Sequence, residues 1–141
     1  MRILIRTTAA VLLAALVCAP VFAAGKPKDL EATPQAKAYR ALEKTVAAGD
    51  YEAYKKSMAA ESAKGMDQQM KDMNMEPKQA MGFLKAMSPS DLKFTSLKVD
   101  GKKATLLATG KMGGEMNYGT IDLVEEDGQW KVAKQSWTNK K

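Results

Sequence analysis

Three glycine-bearing dipeptides, Asp100-Gly101, Gly113-Gly114 and Asp127-Gly128, divide the last third of this chain at steps of 13 and 14 residues. Asp-Gly and Gly-Gly accept the positive φ that a two-residue hairpin turn demands. Between and beside them run four strand-like stretches, 93–99, 102–112, 116–124 and 129–138. Tight hairpins in succession leave little choice of topology. The pattern predicts a four-stranded antiparallel meander.

The register of the last hairpin follows from its turn. A two-residue loop at Asp127-Gly128 pairs Glu126 with Gln129 and Leu123 with Val132. Ile121, Leu123, Trp130 and Val132 then share one face, and Asp122, Lys131 and Lys134 lie on the other, as in a half-buried sheet. Unbroken alternation puts Trp137 on the face opposite Trp130.

The first two thirds read differently. Thr33 and Pro34 form an N-cap and a first helical position. Ala38, Leu42 and Val46, with Tyr39 and Ala41, recur at helical spacing until Gly49 supplies a stop. Asp50 caps a second helix, with Tyr51, Tyr54 and Met58 on one face and an end near Gly65. Residues 66–75 read as a short helical or irregular stretch. Pro77 opens a third helix carrying Ala80, Met81, Leu84 and Met87, with Phe83 beside them, and Ser88-Pro89-Ser90 closes it. Helices come first and strands second. The predicted class is therefore α+β, with three N-terminal helices packed on one face of the sheet.

The amino end has the form of an export signal. Arg2 and Arg6 flank the start, an apolar run extends from Ala9 to Ala19, and Pro20-Val21-Phe22-Ala23-Ala24 offers small residues for cleavage after Ala23. The run is shorter than the roughly 20 residues of a spanning helix. A lipoprotein reading of Cys18 fits less well, because bulky Val17 precedes the cysteine. The expected plan is a signal peptide over 1–23, a polar lead-in arm over 24–33 and one domain over 34–141, periplasmic or secreted. Cleavage removes the single cysteine, which leaves no disulfide framework in about 118 residues. It also lowers the formal charge from +6 to +4, by removing two arginines from 22 basic residues set against 16 acids. The lysines are scattered without a stacking aromatic face, so nucleic acid is not an expected partner.

The helical stretch Ala41-Leu42…Ala47-Ala48-Gly49-Asp50-Tyr51 and the sheet stretch Gly119-Thr120-Ile121-Asp122-Leu123-Val124-Glu125-Glu126-Asp127-Gly128-Gln129-Trp130-Lys131-Val132 together resemble the nuclear transport factor two-like superfamily, the cystatin-like α+β roll. The likeness is nearest to its small secreted bacterial members of unknown function. It implies that the meander is curved and that helices and sheet form a cone with a pocket. That superfamily holds enzymes, binding modules and assembly domains, so the fold alone assigns no activity. Its enzymes commonly place Asp, His or Tyr in the cone. This chain has no histidine, and its sheet acids lean to turns or to the outer face.

Chemistry-bearing constellations are few. Without histidine or a mature cysteine, the common nucleophile–base pairs are missing. Glu125, Glu126 and Asp127 sit in a hairpin turn without the alternating spacing of a calcium loop. Methionine is the anomaly, since nine of the ten methionines lie outside the leader. Met66, Met70 and Met73 fall on one helical stripe, and Met75 follows two residues on. Thioethers are soft, neutral ligands suited to copper(I) or silver(I). They are equally adaptable core and pocket linings.

The expectation is an exported, non-enzymatic binding domain for a small apolar ligand or a protein partner. Tyr39, Tyr51, Tyr54, Met58, Met81, Phe83 and Trp130 are its candidate pocket wall. The first alternative is a copper(I)/silver(I) binder using Met66, Met70, Met73 and Met75. The second is an atypical enzyme of the same superfamily, with Tyr39, Tyr51, Tyr54 or Asp122 facing the cavity. A homodimer formed sheet to sheet stays open.

Overall fold

A computed structural model of the chain describes residues 21–23 and 27–140. Most of the expected leader, with Cys18, lies outside the described residues. Ten elements follow in order: β1 (Val21–Ala23), α1 (Pro27–Glu31), α2 (Pro34–Ala48), α3 (Tyr51–Ser57), α4 (Ala60–Asp72), α5 (Pro77–Ala86), β2 (Ser90–Asp100), β3 (Lys103–Met112), β4 (Glu115–Glu126) and β5 (Gln129–Thr138). The class is α+β. The long strands β2 to β5 form an open antiparallel meander in sequence order. The three-residue β1 pairs with the free edge of β2, Val21 opposite Val99 and Ala23 opposite Leu97.

The turns carry the strain that the sequence assigned to them. Gly113 and Gly114 have φ of 60° and 86°, and Asp127 and Gly128 have φ of 51° and 75°. Both residues of each loop are thus left-handed, as the hairpin twist requires. The first hairpin differs by one residue. Asp100 pairs with Lys103, so its loop is Gly101-Lys102, with the positive φ on Gly101 alone.

Five described helices replace the expected three. Residues 27–31, read as part of the lead-in, form α1, whose Leu30 is buried in the core. Thr33 caps α2 through Ala36 N–H, and its own hydroxyl donates to Leu30 O at 2.6 Å. Arg40 holds α1 from the side. Its guanidinium donates to both Glu31 carboxylate oxygens at 2.6 and 3.2 Å and to Leu92 O at 2.9 Å.

The expected second helix is interrupted at Met58. That residue is extended, at φ −90° and ψ 156°, and forms a parallel bridge with Val132 of β5. Ala59 N–H donates to Val132 O at 2.8 Å. A hydrogen bond to the sheet thus replaces one helical turn, and a new helix, α4, starts at Ala60. Its first amide donates to the Glu126 carboxylate at the tip of β4.

The break is coupled to a bulge in β5. Leu123 pairs with Val132, as the turn dictates, but Asp122 pairs with Lys134, leaving Ala133 unmatched. The Ala133 carbonyl accepts from Ser62 Oγ at 2.6 Å, so α4 satisfies the group that the ladder abandons. One extra residue exchanges the faces of the strand beyond it. Trp137 consequently lies opposite Gly119, on the same face as Trp130, Val132 and Ile121. The expectation that Trp137 opposes Trp130 is corrected by this bulge.

The core fills the space between helices and sheet. Tyr39, Leu42 and Val46 of α2 meet Phe94, Leu97, Leu106, Ile121, Leu123 and Val132 of the sheet. The Tyr39 and Phe94 rings cross edge to face, centroids 6.1 Å apart. Among the described residues no helix is long and apolar enough to cross a membrane.

Candidate functional site

A groove of about 300 Å³ opens where α2, α5 and the far ends of β3 and β5 meet. Tyr39, Leu42, Glu43 and Val46 line it from α2, Phe83, Leu84 and Met87 from α5, and Met112 and Trp137 from the sheet. These positions follow from local rules. On α2, Leu42 and Glu43 each lie three or four residues from both Tyr39 and Val46, which puts the four on one side of the helix. Trp137 reaches the groove only because the Ala133 bulge reverses its strand.

One glycine seats the indole and a second admits Pro89. A Cβ on Gly119 would approach three Trp137 ring atoms at 2.7–2.8 Å. A Cβ on Gly110 would stand 2.7 Å from Pro89 Cβ and 3.5 Å from the indole. Both glycines are buried in mid-strand, where glycine otherwise weakens a sheet, and they mark the close approach of a bulky group.

The polar side chains of the groove are Tyr39, Glu43, Ser88 and, bonded within the wall, Gln135. Its Oε1 accepts from Tyr39 Oη at 2.7 Å and, more weakly, from Trp137 Nε1 at 3.4 Å. Burial pushes the Tyr39 hydroxyl well above its ordinary pKa, and the neighbouring Glu43 charge adds to this. Tyr39 is therefore a neutral phenol across the physiological range. Burial also raises the Glu43 carboxyl, against the Arg40 guanidinium, whose Nη1 lies 3.0 Å away.

A second cavity, of about 220 Å³, adjoins the first across α5. Met66, Met70, Met73 and Met75 line it together with Gln69, Ala80, Phe83 and Leu84. Phe83 and Leu84 line both cavities and divide them. Met66, Met70 and Met73 come from one face of α4 and its C-terminal cap. Met75 is returned to that face by the cap itself. Asn74 is left-handed at φ 49°, its N–H donates to Lys71 O at 3.1 Å, and Met75 N–H reaches back to Met70 O at 2.9 Å. This is a Schellman-type cap, which folds the residue after the left-handed one over the last turn of the helix.

The seven expected pocket residues do not converge. Tyr39 and Phe83 line the groove. Tyr54 and Met81 are buried in the core. Met58 and Trp130 are half-buried against it, Met58 at the bridge to β5. Tyr51 faces α4, where its hydroxyl donates to Asp67 at 2.7 Å. That bond, followed by the Lys55 ammonium, holds the Asp67 carboxyl below its usual range. Asp122 accepts from Thr105 Oγ1 at 2.9 Å, on the sheet face away from the core. The four expected thioethers, by contrast, share one cavity. Of the twelve residues that line the groove, sequence reasoning named only Tyr39 and Phe83 as pocket residues and missed the other ten, Glu43, Met112, Gln135 and Trp137 among them. The signal that could have pointed to Trp137 was Gly119, a glycine in mid-strand.

Among the described residues no group of three or more His, Cys, Asp or Glu side chains is placed to hold a metal ion. Comparison of the chain with family models, curated proteins and solved structures finds no match.

Proposed function

We propose that this chain is an exported, non-enzymatic binding domain of cone-like α+β roll form, whose groove between α2 and α5 takes a small apolar ligand. The observation that carries the reading is the wall of Leu42, Val46, Phe83, Met87, Met112 and Trp137, with Glu43, Ser88 and the Tyr39–Gln135 pair as its polar points. Its volume of about 300 Å³ lies at the small end of the range for ligand sites. Glu43 is the charged side chain of the wall, so a neutral polar end suits the groove better than a carboxylate. The signal-like amino end supports a periplasmic or secreted location.

A protein partner that inserts an apolar side chain is the second reading. It is favoured by Phe83 and Met87, which stand 62% and 51% exposed at the groove.

Titration with decanol and with decanoate, followed by tryptophan emission, tests the ligand reading. The expected result is a saturable change that is tighter for decanol and survives Trp130→Phe. Phe83→Asp and Met87→Asp change exposed positions and should abolish it. A response that never saturates, or one indifferent to both aspartate substitutions, refutes the reading.

A further inference from the structure

The core uses only one end of the stripe on α4, where Met66 packs against it half-buried. Among the 13 residues of α4 none is fully buried, although Met66 and Met70 recur at helical spacing. Met73 is 58% exposed. An amphipathic helix ordinarily exists to bury its apolar stripe, as α2 does with Tyr39, Leu42 and Val46. Beyond the Met66 contact with the core, the α4 stripe faces an open cavity.

Residue choice sharpens the point. Between residues 60 and 76 every large apolar side chain is methionine, with no Leu, Ile, Val or aromatic among them. Apolar coverage alone would accept leucine, which α2 and α5 both use. The shared property of these four side chains is the thioether sulfur.

Geometry and charge agree with this. The Schellman-type cap turns Met75 back toward Met70, so methionines from both sides of the Asn74 turn line one cavity of about 220 Å³. Phe83 presents a ring to the same space, and an aromatic face attracts a cation. Residues 60–76 contain Glu61, Asp67, Asp72 and Glu76 against Lys64 and Lys71, a net negative segment in a chain of net charge +6. Soft thioethers select soft ions, and copper(I) and silver(I) are the monovalent ions of that class.

We propose that Met66, Met70, Met73 and Met75 form a thioether site for a soft monovalent cation, copper(I) or silver(I), with the Phe83 ring over it. The four methionines lie outside the α2–α5 groove, which shares only Phe83 and Leu84 with this cavity, so replacing methionines tests the site without altering the groove.

Silver(I) is the cleaner probe, because it undergoes no redox change during the titration. The full chain carrying Cys18→Ser, so that no thiol competes for silver, with methionine methyl groups labelled with carbon-13, is titrated with silver nitrate in chloride-free buffer and followed by calorimetry and NMR. The expected result is one ion per chain at a dissociation constant of about 1 μM or tighter. The methyl signals of Met66, Met70, Met73 and Met75 should shift, and those of Met58, Met81 and Met116 should stay. Replacing Met70, Met73 and Met75 together by leucine keeps the apolar surface and removes the sulfur. Loss of even a supporting partner of a ligand typically weakens a metal site about 10–100-fold, so this variant should lose more than about 100-fold. Copper(I) competition against a chromophoric chelator should give the same order of variants. Shifts at all methionines alike, no stoichiometric binding, or a leucine variant that binds as tightly as the parent overturns the site. Should the variant fail to fold, the methyl shifts of the parent protein decide alone.

Discussion

The Trp137 indole lies so close to Gly119 that an added Cβ there would meet the ring at 2.7 Å. The two residues are cross-strand partners on β5 and β4. Their apposition exists because Ala133 bulges and Ser62 satisfies the bulged carbonyl. A hydroxyl on a helix thus helps decide which side of the sheet receives an indole 75 residues away.

Gly119→Ala should destabilise the fold by about 1–3 kcal/mol, the usual cost of overpacking. It should also move the indole and change tryptophan emission. Trp137→Ala leaves room for the new methyl. In a double-mutant cycle the pair should therefore lose less than the sum of the single losses. Urea melts of the four proteins measure this, and strict additivity would disprove the contact.

Ala59→Pro isolates one hydrogen bond. Ala59 has φ −58° and follows an extended Met58, so a proline ring meets little backbone conflict. The substitution removes the N–H that donates to Val132 O. Leaving that carbonyl unpaired should cost about 1–3 kcal/mol. Amide exchange in α4 and around Val132 should quicken, while α2 keeps its protection. Unchanged exchange in α4 would mean that the bridge does not hold it.

Arg40→Lys should release α1 while sparing the rest. Lysine has no planar fork to bind both Glu31 oxygens and Leu92 O together, and it stacks less well on Phe94, over which the guanidinium now sits at 4.9 Å. The expected outcome is faster proteolysis between residues 27 and 33 with a small fall in overall stability. Equal cleavage rates in parent and variant would contradict the clamp.

Alkaline pH should unfold the protein through its tyrosines. Burial raises Tyr39 and Tyr54 above the ordinary tyrosine pKa of about 10. A group whose folded pKa is raised contributes stability that is complete below the unfolded value and is lost as pH climbs through the folded one. The urea midpoint should therefore hold to about pH 9.5 and fall beyond it. Tyr39→Phe lowers the midpoint at neutral pH by removing the bond to Gln135, and it should flatten the alkaline fall. An alkaline slope identical to that of the parent would locate the effect elsewhere.

The sequence by itself determined what local chemistry controls. Three turn dipeptides set the meander, and the Asp127-Gly128 loop set the pairing of Leu123 with Val132 that the structure contains. Thr33-Pro34, Gly49-Asp50 and Pro77 marked helix boundaries, because caps act within a few residues. The four methionines were legible as a group, since helical spacing and a short cap are both local. Tertiary structure alone decided where the segments met. Met58 and Ala59 look helical in sequence, but a partner strand some 70 residues away offers Ala59 a sheet hydrogen bond. Nothing in the residues around Ala133 announces a bulge, because the compensating donor, Ser62, lies on another element. That one inserted residue put Gln135 and Trp137 on the helix-facing side of the sheet beside Tyr39, while Tyr54 and Met81 went to the core. A side chain's face follows from local alternation only while the register is unbroken, and the register here is set by contacts distant in the chain.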